Sequence, residues 1–257
     1  MAWVASKPRI ACVASSAAPA RAAQTELATR YDLVDPGDCD VIVALGGDGL
    51  LLHTIHEHLQ LGRPIFGMNR GTVGFLMNQY RPDGLLERVG AATPITIHPL
   101  RLAATYPDGR RAHALAFNEV AVNRLSAHSA NIRLSIDGVE RMAKFVGDGL
   151  IVSTAAGSTA YNLSAHGPII PLGSNLLAVT PVSPFRPRRW KGALVPHTAE
   201  IVVRTWMPTS GHWPPPPTST SCSTSCRPPS GRTPRPPCSC SSTPTTRSRS
   251  GSSPNNS

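Results

Sequence analysis

Three short apolar runs, at residues 10–14, 41–45 and 64–68, are each followed by a stretch whose apolar residues recur at helical spacing, over 17–29, 50–59 and 83–89. That alternation leaves few folds open, because strands joined through crossover helices pair in parallel and have to be covered on both faces. Residues 1–94 therefore read as an α/β domain built on an open parallel sheet. From residue 95 the pattern changes to runs at 95–106, 112–122 and 132–136, with Asp108-Gly109 and Asp137-Gly138 as hairpin signals. Residues 95–205 read as a second, β-rich and sandwich-like domain with mostly antiparallel strands. The remainder is different in kind: of the 52 residues in 206–257, 34 are Pro, Ser or Thr and none is Lys, Asp, Glu, Leu, Ile or Val. This segment is expected to be a disordered, low-complexity tail that builds no core.

The tail also decides how the charge is read. The chain carries a formal net charge of +10, of which five arginines in the tail supply half. The mildly basic body suits any anionic ligand, whereas five Arg without interleaved aromatics give only weak, salt-sensitive attraction to nucleic acid. No specific nucleic-acid partner is expected. Apolar runs such as 41–45 fall far short of the ~20 residues that span a bilayer, and the run after Lys7 and Arg9 is shorter than a secretory core of about 7 to 15 residues. A cytoplasmic protein with no membrane segment is expected. Cys222, Cys226, Cys238 and Cys240 of the tail have spacings unlike zinc-ribbon pairs, with His212 as the tail's one histidine. His53, His56 and His58 do not share one helical face. No metal held by protein ligands is expected.

Polar chemistry gathers at the strand ends. Gly46-Gly47-Asp48-Gly49 follows the run 41–45 and opens a helical pattern, the place where open α/β sheets bind ligands. Its glycines let a phosphate chain approach the backbone, and Asp48 is either a base or cation holder, or simply the N-cap of the helix. A second glycine-rich segment, Asn69-Arg70-Gly71-Thr72-Val73-Gly74-Phe75-Leu76, follows the next strand; Phe75 suits stacking on a base or a place in the core. Asn118-Glu119 lies within an apolar strand, where adjacent polar side chains are costly unless a ligand or a hydrogen-bond network pairs them. The densest cluster runs from Gly147-Asp148-Gly149 through Ala155-Ala156-Gly157-Ser158-Thr159-Ala160-Tyr161-Asn162-Leu163-Ser164, suited to a sugar or base, or to a capped helix start.

Taken in order, GGDG at 46–49, NRGTVGFL at 69–76, FNEV at 117–120 and GDGLIVSTAAGSTAYNLSAHGPIIPLGS at 147–174 resemble the bacterial NAD kinases. The resemblance covers about residues 7–205, including SPFRPRRWKGALVP at 183–196. GGDG alone is less specific, since diacylglycerol and sphingosine lipid kinases and phosphofructokinases carry similar loops. The resemblance implies transfer of the γ-phosphoryl group of ATP to the adenosine 2′-hydroxyl of NAD, giving NADP, with NAD bound between the two domains. By the same carry-over, Asp48 is the proton acceptor and Gly49 belongs to the nucleotide loop. His53 lies near phosphate, Phe75 beside adenine, and Asn118 and Glu119 bind adenosine groups. Asp148 matches a carboxylate on the nicotinamide-ribose side, and Ala156 with Thr159, Ala160, Tyr161, Asn162, Leu163 and Ser164 matches the segment wrapping NAD. A divalent cation, Mg2+, is implied with ATP, and a homodimer or homotetramer is implied as the assembly.

Two departures qualify this picture. Ala155-Ala156 stands where many members of the family carry Pro-Thr or a similar pair. The family's later strands are replaced after about residue 205 by the tail, an abrupt change that reads as translation in a shifted frame of GC-rich coding sequence, with a native Arg/Ser/Pro tail as the other explanation. Two further functions stay open on the residues: a nucleotide-binding protein that does not turn over, and a lipid kinase of the same superfamily. Asn118-Glu119 and the 159–164 block are the wrong companions for a lipid kinase.

Overall fold

A computed structural model describes residues 7–71, 74–106, 108–125 and 127–206, with the backbone of 218–223. Cys226, Cys238, Cys240 and His212 of the tail, and Thr72 and Val73 of the second glycine-rich segment, lie outside these. Tertiary contacts divide the chain into two units, one running to Ile97 and including Pro171–Ser174, the other made of His98–Ile170 and the chain from Asn175 onward.

In the first unit, β1 (Ile10–Ala14), β2 (Val41–Gly46), β3 (Ile65–Asn69) and β4 (Asn78–Gln79) form one parallel sheet in that order, with Ile10 opposite Val41 and Ile42 opposite Ile65. Every residue of β2 is buried, as a central parallel strand covered on both faces requires. Helix α1 (Ala18–Arg30) is alanine-rich, starts with Pro19 in its first turn, and buries Ala20, Ala23 and Leu27; good propensity, a tolerated proline and spacing of three and four together place it on the sheet. Helix α2 (Asp48–Glu57) begins directly after β2, and α3 (Leu85–Ala91) buries Leu85 and Val89. Ile10, Val43, Leu45, Met68, Leu27 and Leu85 share the core between sheet and helices. The two-residue β4 carries no periodicity and has no counterpart in the expected elements.

In the second unit two antiparallel sheets face each other. One has the order β12 (Ala193–Pro196), β11 (Leu176–Val182), β10 (Gly149–Ser153), β7 (Glu119–Asn123); the other runs β6 (Arg111–Ala116), β5 (Leu100–Thr105), β14 (Thr218–Ser223), β13 (Glu200–Trp206), β8 (Ala130–Ile136), β9 (Val139–Gly147). Alternate residues of β8, namely Ile132, Leu134 and Ile136, are buried and meet Leu150, Val152, Leu177 and Val179 from the opposite sheet in one core. This is the period-two pattern of a sandwich, and each such aliphatic side chain contributes roughly 1.5–3 kcal/mol by leaving water. Asp137 (φ 51°) and Gly138 (φ 75°) close the two-residue turn between β8 and β9, with Ile136 opposite Val139. A turn with both φ values positive is what an Asp-Gly pair supplies.

Two local expectations differ. The run 112–122 is not one strand: β6 ends at Ala116 and β7 starts at Glu119, so the chain crosses from one sheet to the other at Phe117 and Asn118. The Asn-Glu pair therefore stands at that crossover and the start of β7. The tail, expected to be without structure, contributes β14 between β13 and β5, with Thr205 opposite Thr218 and Thr105 opposite Ser219. Composition argued only against a core, whereas a strand needs backbone N–H and C=O groups that pair with its neighbours.

Candidate functional site

In the first unit the two glycine-rich loops are joined through Asp48. The N-cap of α2 is Gly47, whose side makes no capping bond, so Asp48 is not the cap. Its carboxylate instead accepts hydrogen bonds from two backbone N–H groups of the second loop, Phe75 N–H to Oδ2 at 2.8 Å and Leu76 N–H to Oδ1 at 3.1 Å. Gly74 is needed for this approach, since a Cβ there would sit 2.5 Å from Asp48 Oδ1. A carboxylate offers about four acceptor sites, so two amide bonds fix its orientation and leave lone pairs for a proton or a cation. Around Gly47 and Gly49 the opposite holds: a Cβ at either would meet nothing within 4 Å. Packing does not demand these glycines, and their open space lies at the start of α2, where helix N–H groups suit phosphate.

Phe75 is 61% exposed, so the aromatic is outside the core. His53 is also exposed and lies 3.7 Å from Glu57, one turn along α2. Among the described residues no group of three or more His, Cys, Asp or Glu side chains is placed to hold a metal ion. Arg70, part of the NRGTVGFL block but given no role of its own there, anchors the second loop: its backbone N–H donates to Gly46 O at 2.8 Å and its Nε to Pro19 O at 3.1 Å.

In the second unit Asn118 and Glu119 lie beside the 154–164 segment. Thr154 N–H donates to Asn118 O at 2.9 Å and the Thr154 hydroxyl to Phe117 O at 2.7 Å. A side chain on Gly157 would run into the backbone of Asn118. The Asn118 carbonyl is thus engaged, while two side-chain atoms of the pair are not: Asn118 Oδ1 and Glu119 Oε2 are buried and have no hydrogen-bond partner. Burial raises the pKa of Glu119 above its ordinary 4.5. Unpartnered buried oxygens are costly in a folded protein, and donors on a ligand would satisfy both.

The following segment forms a 3-10 turn (Ala156–Thr159) and α4 (Tyr161–Ser164). Ala156 is buried, Thr159 and Ala160 are half-buried, and Tyr161, Leu163 and Ser164 are exposed. Asn162 is fully buried and engaged: its Nδ2 donates to Ser158 O at 3.1 Å and Pro168 O at 3.0 Å, and its Oδ1 accepts from the Thr180 hydroxyl at 2.6 Å. Ser158, expected as a possible cap, bonds to Ala155 O and to both backbone groups of Ile170, with no capping bond to the helix. Asp148 accepts at 2.5 Å from Arg124 Nε, which with Ser183 holds its carboxyl below the usual range. Thr180 and Arg124 carry no motif signal; both are found only through their tertiary partners.

Much of the chain is similar to known proteins. Residues 6–87 match the family model of the ATP-NAD kinase N-terminal domain and residues 117–207 that of the ATP-NAD kinase C-terminal domain. The NAD kinase of Caulobacter vibrioides is 53% identical over 195 residues, 75% of this chain and 74% of that protein. The NAD kinase of Mesorhizobium japonicum is 52% identical over 192 residues, 75% of each chain. Among solved structures, an NAD kinase from Archaeoglobus fulgidus in complex with ATP superposes with a TM-score of 0.61 at 27% identity, over 84% of this chain and 90% of that one. Yeast NADH kinase complexed with NADH has a TM-score of 0.67 at 19% identity, over 84% and 78%, a likeness of fold. The two family models, the relatives at half identity and the paired glycine-rich loops around Asp48 agree that this chain belongs to the NAD kinase family and is a phosphotransferase.

Proposed function

We propose that the chain transfers the γ-phosphoryl group of ATP to the adenosine 2′-hydroxyl of NAD, with Asp48 as the proton acceptor. The observation that carries this reading is the Asp48 carboxylate clasped through both oxygens by Phe75 and Leu76 N–H groups at the carboxyl end of β2. A ribose hydroxyl is a poor nucleophile at neutral pH, so a positioned carboxylate that takes its proton lowers the barrier. In the step, the bond from the 2′-oxygen to the γ-phosphorus forms, the bond from that phosphorus to the bridging oxygen breaks, and ADP leaves. Gly47 and Gly49 leave room for the phosphate chain, and His53 stands one turn along α2 on the same helix. Phe75 offers its exposed ring to adenine.

Asn118 and Glu119 take donor groups of the adenosine, as their unpartnered buried oxygens support. Asp148 serves the nicotinamide-ribose side, held by Arg124. Ala156, Thr159, Ala160, Tyr161, Leu163 and Ser164 form the segment along NAD, with Asn162 holding it from within. Hard oxygen donors suit the divalent cation, and the phosphate chain would supply most of them. When bound, Mg2+ would supply charge neutralisation for the phosphoryl group. No helix among the described residues is long and apolar enough to cross a membrane; a cytoplasmic homodimer or homotetramer is the assembly proposed.

The test is NADP formation from NAD, ATP and Mg2+ by the purified 257-residue chain, with Asp48→Asn alongside. NADP formation lost in Asp48→Asn, with NAD binding retained, is the expected result. Unchanged turnover in Asp48→Asn removes Asp48 as the base, and binding of NAD without turnover by the folded parent chain replaces the kinase with a nucleotide-binding protein.

A further inference from the structure

The clasp on Asp48 is made by the far end of a loop, and something has to hold the near end. That loop leaves β3 at Asn69, whose Oδ1 accepts from Gly71 N–H at 2.8 Å, and it returns at Phe75. Between these points Arg70 makes three contacts to three separate elements. Its backbone N–H donates to Gly46 O, the last residue of β2 and two before Asp48, a bond that alanine at this position would keep. Its Nε donates to Pro19 O in the first turn of α1. Its guanidinium lies over the ring of Tyr80, with Cζ 4.4 Å from the centroid. The ring is held in turn, since the Tyr80 hydroxyl donates to Glu26 Oε2 at 2.7 Å, and Glu26 Oε1 accepts from Arg30 at 3.0 Å on the same face of α1. Burial and Glu26 push the Tyr80 phenol up to about 12, so it remains a donor across the range in which a kinase is assayed.

We infer that Arg70 is a positioning residue for phosphoryl transfer: its side chain fastens the chain where it leaves β3 to α1 and Tyr80, ahead of Phe75 and Leu76, whose N–H groups hold the Asp48 carboxylate in place. This inference rests on the reading of Asp48 as the base. Arg70 is suited to the task where lysine is not, because its planar fork donates along one edge while its face stacks on an aromatic ring. A loop that ends in two amide donors has to be preorganised, and a displacement of about 1 Å at such a site costs as much as ~100-fold in rate. The residue touches neither substrate nor reacting atoms in this account, so its removal acts on kcat through Asp48, and because Phe75 is carried by the same segment the coupling to Asp48, not an unchanged KM, is the readout of positioning.

The experiment is steady-state kinetics of NADP formation by the full chain for Arg70→Ala, Arg70→Lys, Tyr80→Phe, Tyr80→Ala and Asp48→Asn, with Arg70→Ala/Asp48→Asn as a double variant. Arg70→Ala is expected to lower kcat roughly 10- to 100-fold. Tyr80→Phe, which keeps the ring but loses its bond to Glu26, is expected between the parent and Tyr80→Ala, and Tyr80→Ala to fall toward Arg70→Ala. In the Asp48→Asn background Arg70→Ala is expected to add no further loss, because the group it positions is gone. A parent-like kcat in Arg70→Ala, or equal and additive losses with and without Asp48, overturns the inference; unchanged turnover in Asp48→Asn instead overturns the assignment of the base. Where Arg70→Ala fails to fold, Arg70→Lys carries the same comparison, with parent-like kcat as the overturning result.

Discussion

Asn162 lies in the segment assigned by resemblance to wrapping NAD, yet its side chain is spent inside the protein. Replacing it by alanine takes a fully buried amide from between Ser158 O, Pro168 O and the Thr180 hydroxyl. Thr180 is 1% exposed, so its hydroxyl cannot turn to water. An orphaned buried donor costs about 1–3 kcal/mol, the two carbonyls lose charge-neutral bonds of about 1 kcal/mol each, and the vacated volume against Gly167 adds to this. The sum is a destabilisation of about 3–5 kcal/mol. At about 2–4 °C per kcal/mol for a chain of this size, the melting temperature of Asn162→Ala should fall by roughly 6–20 °C, read by circular dichroism without ligand. Thr180→Val leaves only Asn162 Oδ1 unpaired and should cost about 1–3 kcal/mol. The double variant should cost less than the two singles together, because both break the same bond. An Asn162→Ala protein that melts within a degree or so of the parent while its KM for NAD rises refutes this reasoning and returns the side chain to the ligand.

Two other substitutions separate local roles. Gly74→Ala places a Cβ 2.5 Å from Asp48 Oδ1 and 3.2 Å from its Cγ, so the carboxylate must turn away; turnover should drop roughly 10- to 100-fold with a melting temperature closer to the parent's than that of Asn162→Ala, and parent-like kinetics would show that Asp48 does not need the clasp. Glu119 holds its proton more tightly when folded than when unfolded, because burial raises its pKa. Its ionisation therefore opposes folding, and the ligand-free protein should lose stability as pH climbs from about 4.5 through the raised folded value. Glu119→Gln should flatten that slope and be the more stable form at neutral pH in urea titrations; a steeper fall in the variant would refute the assignment to Glu119.

The parallel α/β character of the first sheet was legible because it needs only local information, whereas the order of its strands does not. Runs that are apolar throughout, such as 41–45, announce a strand covered on both faces, and helical spacing after each run announces the crossover. Asp137-Gly138 was legible for the same reason: the turn's two positive φ values are a property of those two residues. The hydrogen bonding of Asp48 and Asn162 is non-local. Whether Asp48 caps a helix or is clasped depends on N–H groups 27 and 28 residues away, and what Asn162 bonds depends on Thr180 in β11. The crossing at Phe117 and Asn118 was hidden because a continuous apolar run looks the same whether its strands stay in one sheet or change to the other.

Thr218–Ser223 marks the sharper limit. Hydropathy asks whether a segment can bury its side chains, and by that measure residues 206–257 were set aside. Strand formation asks something different, namely whether two neighbours present complementary N–H and C=O rows at the right spacing. Between Ile201 and Val203 of β13, which are buried, and Leu100 at the start of β5, also buried, the core is already supplied by the neighbours. A segment with no Leu, Ile or Val can then take the place between them on backbone pairing, with Thr and Ser as residues that accept extended backbone. Low apolar content thus excludes a segment from nucleating a sheet without excluding it from joining one.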